Sequence, residues 1–128
     1  MQSEINLPDI VAEVQHAFEH YNAALNTNNV TSLNQFFWES LHTVRFGPGE
    51  NLYGYAEIAQ FRGTKWVSGP IRRLARVVIT TIGRDFATTS AVFARGDDDV
   101  VVRQSQTWVR FPEGWRIVAA HVSPLKAR

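Results

Sequence analysis

The sequence predicts an α+β fold in which helices come first and an antiparallel meander follows. Up to about residue 62, apolar residues recur at spacings of three and four, which is typical of amphipathic helices. From Leu74 onward, the chain consists of β-branched and aromatic-rich runs separated by short turns. Because these connections are too short to hold helices, consecutive strands are expected to pair antiparallel.

The first helix is predicted from one apolar stripe that begins after Pro8. Its members are Val11, Val14, Phe18, Tyr21 and Leu25. Asn6 or Asp9 can cap the start, because their side chains accept hydrogen bonds from free backbone N–H groups. The polar run at 26–29 ends this helix, and a second, shorter helix opens at Thr31.

A short strand and a third helix complete the first half of the chain. Residues 42–46 alternate at period two and stop at a Gly-Pro-Gly turn at 47–49. A short helix is then predicted at 55–62, where Ile58 and Phe61 have helical spacing.

Four strands fill the second half, with turn-forming residues between them. They are Leu74–Ile82, Phe86–Ala94, Val100–Phe111 and Trp115–Val122. The Pro-Glu-Gly turn at 112–114 predicts a register in which Phe111 opposes Trp115.

This register divides the last hairpin into two faces. One carries Ser105 and His121, and the other carries Gln104, Gln106 and Trp108. Neither face is cleanly polar, as it would be with water on one side. We therefore expect the His121 face to pack on the helices around a partly polar cavity. The Trp108 face is expected to pack on a second subunit, which gives a homodimer.

Composition and charge exclude several classes of function. Thirteen Lys and Arg residues balance twelve Asp and Glu residues, and no basic block is present, which argues against a nucleic-acid partner. No apolar run approaches the roughly 20 residues of a membrane span. The first thirty residues show no export signal, so we expect a cytoplasmic protein. All of residues 1–128 are expected to form one domain.

No strong motif for a metal or cofactor is present. The chain has no Cys, and the spacing of His16 and His20 lacks the Glu that a metalloprotease motif requires. The glycines at 47 and 49 have neither the spacing nor the lysine of a phosphate loop. We therefore expect no metal and no organic cofactor, and chemistry that comes from His, Tyr, Arg, Ser, Thr or a carboxylate.

Three residues are candidates for that chemistry. Tyr21 lies on the apolar stripe of the first helix, where its hydroxyl either bonds to backbone or borders a cavity. Arg45 alternates with apolar neighbours, and if it points inward it forms either a carboxylate receptor or a buried pair with Glu. His121 is either an acid, base or donor, or a structural histidine.

The order of elements resembles the NTF2-like superfamily, a cone of three helices against a curved, mostly antiparallel sheet that encloses a pocket. Several short motifs along the whole chain are similar, more narrowly, to the AtzH-like family. They are Phe36-Phe37-Trp38, Thr43-Val44-Arg45-Phe46-Gly47, Leu52-Tyr53-Gly54, Ile58-Ala59-Gln60-Phe61-Arg62, Arg72-Arg73-Leu74, Arg103-Gln104-Ser105-Gln106-Thr107-Trp108 and the run from Gly114 to Ser123. The general acid Asp of the steroid isomerase branch has no evident counterpart, which argues against an isomerase.

This resemblance implies a decarboxylating amidohydrolase that converts 1,3-dicarboxyurea, or a related N-carboxylated urea, to allophanate in bacterial catabolism of cyanuric acid, s-triazines or ureides. Such a dianion needs an arginine in an apolar pocket, and Arg45 is the candidate. Breaking the C–N bond needs a proton on nitrogen, and Tyr21 is the candidate donor. The two residues are expected to meet in a pocket lined by Phe37, Trp38, Trp66 and His121.

Other functions are compatible with the same residues. Tyr21 could position water in a hydrolytic version of the reaction. A SnoaL-like ligand-binding or cyclase protein would use the pocket for a larger apolar ligand. The family's association with an amidase makes a scaffold role, in which the Trp108 face holds that enzyme, a further alternative.

Overall fold

The computed structural model describes residues 4–64, 72–95 and 100–126. The helices and strands in these ranges are α1 (Pro8–Asn26), α2 (Val30–Gln35), β1 (Val44–Phe46), β2 (Asn51–Tyr53), α3 (Tyr55–Thr64), β3 (Arg72–Ile82), β4 (Phe86–Arg95), β5 (Val100–Phe111) and β6 (Gly114–Lys126). Instead of three helices preceding the sheet, these ranges hold one long helix, α1, and two short ones, of which α3 follows the first two strands. Strand β2 was not predicted from the sequence.

Helix α1 begins without the predicted side-chain cap. Leu7 is its N-cap residue and offers no side-chain acceptor. Asn6, in a left-handed conformation at φ 54°, instead ties the chain to β3. Its Oδ1 accepts from the Thr81 N–H at 2.8 Å, and its own N–H donates to the Thr81 carbonyl at 3.0 Å. The buried stripe of α1 consists of Ile10, Val14, Phe18, Tyr21 and Ala24.

The strands form one six-stranded mixed sheet in the order β2-β1-β6-β5-β4-β3. Strands β3 to β6 form the predicted antiparallel meander. Strand β1 pairs antiparallel with β2 and parallel with β6, where Arg45 lies opposite Ala120. This parallel pair brings the first strand beside the last one.

The register of the last hairpin is as predicted over most of its length but not at the turn. From Thr107 towards the far end, each residue has the expected partner. At the turn, Phe111 opposes Gly114 rather than Trp115. A β-bulge at Val118 takes up the one-residue difference, and bulges of this kind bend and twist a strand.

The two faces of the sheet are the reverse of the prediction. Trp108 is fully buried, and Gln104 and Gln106 are each 2% exposed. The Trp108 indole N–H donates to Thr89 Oγ1 at 3.1 Å, and that hydroxyl donates to Gln106 Oε1 at 3.2 Å. These two bonds satisfy the Trp108 indole and Gln106 Oε1 in the core, where Trp108 meets Phe36 edge-on at 6.2 Å. The expectation that Trp108 packs on a second subunit is wrong.

The opposite face of the sheet, which we call the outer face, carries exposed or half-buried side chains. Its central members are Val78, Thr88, Ser90, Ser105, Thr107 and His121. The interior therefore lies between the helices and the Trp108 face. None of the helices in the described ranges combines the length and the apolar character needed to cross a membrane.

Replacing Trp108 tests which face is the core. We expect Trp108→Ala to lower the free energy of unfolding by about 3–5 kcal/mol, because it leaves a large cavity. Leu41→Ala, at an apolar residue outside the sheet that is 89% exposed, serves as the control and should cost less than about 1 kcal/mol. Urea denaturation measures both. Equal losses in the two variants would contradict the buried position of Trp108.

Candidate active site

Tyr21 places a phenol in the interior, on the sheet-facing side of α1. The residue is 2% exposed. Its ring meets those of Phe36 and Phe37 edge-on, with centroids 5.9 and 6.1 Å away. Its hydroxyl oxygen accepts a hydrogen bond of 2.9 Å from Nη2 of Arg62. The phenol is thus bonded to a cation rather than to backbone.

Arg62 is a buried cation that α3 carries into the same region. It is 3% exposed, and its guanidinium carbon lies 5.7 Å from the ring centre of Phe37. Burial lowers the pKa of the Arg62 guanidinium, and the like charge of Arg45 lowers it as well. The Tyr21 oxygen and the Glu50 carboxylate act in the opposite direction.

Arg62 was not among the predicted site residues, although the sequence around it contains a pattern that indicates burial. Ile58 precedes it by four residues, and residues at i and i+4 share one face of a helix. Ile58 is fully buried, so the helix turns the Arg62 side chain inward as well. An arginine one turn after an apolar core residue was therefore a candidate for burial.

Arg45 points inward, because its neighbours on β1 face the other side of the sheet. It is 6% exposed, and its guanidinium carbon lies 5.7 Å from the ring centre of Phe61. Its Nη1 forms a 2.8 Å ion pair with Oε1 of Glu50. The arginine–glutamate pair is therefore present, and its carboxylate is the more accessible partner, with the Glu50 side chain 21% exposed against 8% for Arg45.

Gly47 allows Arg45 and Glu50 to come this close. A Cβ atom at this position would collide with Oε1 of Glu50 and lie 2.9 Å from Nη1 of Arg45. Oε2 of Glu50 accepts from the Gly49 N–H at 3.1 Å. The glycine turn thus presents the carboxylate to Arg45. A pocket of about 410 Å³ opens beside it, lined by Gly49, Glu50, Asn51, Leu52, Glu57, Gln60 and Phe61.

The predicted site residues are only partly brought together. Tyr21 and Phe37 both contact Arg62, and Arg45 is near enough for its charge to act on Arg62. Trp38 stacks on Phe111 at 5.3 Å. Together with Phe37 it lines a different pocket, of about 580 Å³.

The two remaining residues that were predicted to line the pocket are His121 and Trp66. His121 is exposed on the outer face, where its ring meets that of Phe46 at 6.0 Å, so it lies on the other side of the sheet from Tyr21. The expected shared pocket is wrong for His121, because the buried face is the one that carries its neighbours Ala120 and Val122. Trp66 lies outside the described residues.

The cluster of Tyr21, Arg45, Glu50 and Arg62 combines two cations, a carboxylate and a phenol in the interior. Two guanidinium groups and one carboxylate give a net positive charge in a largely apolar interior, where charge interactions are strong. The phenol supplies a proton next to one of the cations. Among residues 4–64, 72–95 and 100–126, no group of three or more His, Asp or Glu side chains is arranged to hold a metal ion.

Known proteins with a similar sequence and fold cover nearly the whole chain. A protein of unknown function from the DUF3225 family of Pectobacterium atrosepticum is 48% identical, with a TM-score of 0.91 over 95% of each chain. A cystatin-like fold protein from Burkholderia xenovorans is 43% identical, with a TM-score of 0.93 over 99% of this chain and 100% of that one. A protein of the NTF2-like superfamily from Salmonella enterica is 25% identical, with a TM-score of 0.74 over 94% and 93%.

No protein of curated function matches the chain. The similar structures confirm the NTF2-like α+β fold that the order of elements predicted. A family model matches residues 3–128, which is all but the first two residues. This chain belongs to the AtzH-like family.

Proposed function

We propose that this chain is a decarboxylating amidohydrolase that converts 1,3-dicarboxyurea, or a related N-carboxylated urea, to allophanate. The observation that carries the proposal is the buried cluster in which a phenol bonds to one guanidinium and a second guanidinium lies nearby. The reaction needs a site for a small dianion and a proton for nitrogen. Membership of the AtzH-like family supports the same assignment.

Arg45 binds one terminal carboxylate of the substrate in this proposal. A guanidinium holds a carboxylate through two parallel hydrogen bonds, which fixes the position of the anion as well as its charge. Glu50 already occupies one nitrogen of Arg45. The substrate therefore shares Arg45 with Glu50 or displaces it, and the exposed edge of Glu50 leaves room for that exchange.

Tyr21 supplies the proton for the bond-breaking step. The bond between nitrogen and the terminal carboxylate carbon breaks, its electron pair goes to nitrogen, and the carboxylate leaves as carbon dioxide. The Tyr21 hydroxyl gives its proton to that nitrogen, so allophanate and a phenolate form, and solvent returns the proton to the phenolate. General acid catalysis of this kind contributes roughly 10²- to 10⁴-fold to a rate. These steps use neither a metal nor an organic cofactor.

A second copy of the chain is the partner that the outer face fits best. The strands of this sheet are as long as 13 residues. The four long strands, β3 to β6, have 10 to 13 residues, so at roughly 3.3 Å per residue and roughly 4.8 Å per strand they form a face of about 38 by 19 Å. This area is comparable to the roughly 800 Å² that each partner buries in a stable complex. It carries exposed Val78, Ile82 and Phe86, small Ser and Thr side chains, and two arginines, Arg76 and Arg103.

The proposal is tested by supplying 1,3-dicarboxyurea, generated in situ with ¹³C in its carboxylates, and following allophanate and carbon dioxide by NMR. Formation of allophanate well above the rate without protein supports it. If the chain alone gives no turnover but an amidase copurifies with it, the scaffold role is correct instead. Tight binding of a larger apolar ligand, again without turnover, would indicate a ligand-binding role.

Removing the Tyr21 hydroxyl should abolish most of the activity. We expect Tyr21→Phe to lower kcat by roughly 10²-fold or more, because the proton donor is lost while the ring packing stays. Tyr53→Phe, at a tyrosine that is 57% exposed, should leave kcat unchanged. Steady-state kinetics measures both, and thermal unfolding checks the fold. Wild-type turnover in Tyr21→Phe would show that another group donates the proton.

Replacing Arg45 tests the carboxylate site. Arg45→Lys keeps the charge but loses the planar fork, so we expect kcat/KM to fall by roughly 10-fold or more. Arg84→Lys, at a side chain that is 54% exposed, is the matched control. A higher KM with unchanged kcat would make Arg45 a simple anchor for the anion. Unchanged values of both constants would remove it from the site.

Adding charge to the outer face tests the proposed dimer. The wild-type protein should sediment as a dimer at micromolar concentration. Ser90→Glu should shift it towards monomer, because a buried unpaired carboxylate is costly. Gln15→Glu adds the same charge on the exposed side of α1 and should leave the dimer intact. Sedimentation equilibrium separates the outcomes, and a monomeric wild-type protein would refute the proposal.

A further inference from the structure

We propose that Arg62 is a positioning residue that fixes the direction in which the Tyr21 hydroxyl gives its proton. This inference rests on the proposed function, because it assigns a role within the same reaction. It begins from the 2.9 Å hydrogen bond between Arg62 Nη2 and the Tyr21 oxygen, both of which are buried.

The chemistry of arginine decides which way this hydrogen bond runs. A guanidinium has five N–H donors and no acceptor, so Arg62 must donate and the Tyr21 oxygen must accept. The hydroxyl hydrogen therefore points away from Arg62. Within the described part of the chain, this is the one hydrogen bond seen for the Tyr21 hydroxyl. In the proposed reaction, this outward-directed proton is the one that passes to nitrogen.

The contacts around Tyr21 fix the position of its ring, so the direction of the hydroxyl hydrogen is what Arg62 determines. Phe36 and Phe37 hold the ring edge-on from two sides. Arg62 is itself fixed by α3, whose N-terminus is tied to the loop before β1 by a 2.9 Å bond from the Tyr55 N–H to the Ser40 carbonyl. The ring and the donor are thus held by different elements, and their hydrogen bond sets the hydroxyl.

The same contact favours the state that follows proton transfer. When Tyr21 loses its proton, its oxygen becomes an anion that already accepts a hydrogen bond from a cation. The guanidinium charge already strengthens this hydrogen bond before the transfer, and once the Tyr21 oxygen is an anion, the attraction between two opposite charges is added. Arg62 therefore stabilises the charge that develops during the step, without contacting the substrate.

A double-variant cycle of Arg62 and Tyr21 distinguishes this role from substrate binding and from a purely structural one. We expect Arg62→Lys to lower kcat by roughly 10- to 100-fold with KM changed less than about threefold, because catalysis is sensitive to small displacements of the donor. In a Tyr21→Phe background, the same change should alter kcat by less than about threefold, since the hydroxyl is already absent. The control Arg84→Lys should match the wild type.

Two kinetic results would overturn the inference. A raised KM at unchanged kcat would make Arg62 a substrate ligand. An equal loss of kcat with and without the Tyr21 hydroxyl would make it a structural residue. If the lysine variant does not fold, Arg62→Gln, which keeps an amide donor without the charge, takes its place with the same outcomes.

A measurement without substrate separates failure of this inference from failure of the proposed function. Protein labelled with ¹³C at the tyrosine Cζ gives signals for Tyr21, Tyr53 and Tyr55. Replacement of Arg62 should move the Tyr21 signal at neutral pH and leave the other two in place. An unmoved Tyr21 signal overturns the inference. If the Tyr21 signal moves but the protein does not turn over carboxylated ureas, the contact between Arg62 and Tyr21 is supported and the proposed reaction is rejected.

Discussion

The burial of two arginines beside each other is the constraint on which the rest of the interior depends. Arg45 and Arg62 are 6% and 3% exposed, and each charge raises the cost of burying the other. Glu50 offsets part of this cost through its ion pair with Arg45, and the Tyr21 oxygen offsets part through its bond to Arg62. These two contacts help to hold both cations in the interior.

Each member of the cluster comes from a different element of the fold. Helix α1 supplies Tyr21, strand β1 supplies Arg45 and helix α3 supplies Arg62, while the glycine turn after β1 supplies Glu50. The arrangement is precise because each element is anchored independently to the sheet or to its neighbours. Side chains carried by helices and strands are held in more exact positions than side chains on loops.

The predictable parts of the structure are those that depend on local periodicity. The stripe of α1 correctly placed Tyr21 in the interior, and alternation along β1 allowed an inward Arg45. The faces of the meander were assigned incorrectly, because Gln104 and Gln106 resemble surface residues although they lie at the core beside Trp108. The bulge at Val118 compounded the difficulty, since nothing in the local sequence marks an extra residue there. Burial of such groups is a property of tertiary contacts.

The parallel pairing of β1 with β6 has a consequence for how the site is assembled during synthesis. Arg45 lies opposite Ala120, so the strand that carries it is completed by a segment about seventy-five residues further along the chain. On a ribosome, α1 and α3 emerge well before that segment. Nascent chains that end before β6 therefore leave one edge of β1 unpaired, while its other edge can already pair with β2. The position of β1 in the six-stranded sheet is thus fixed only when the last strand docks.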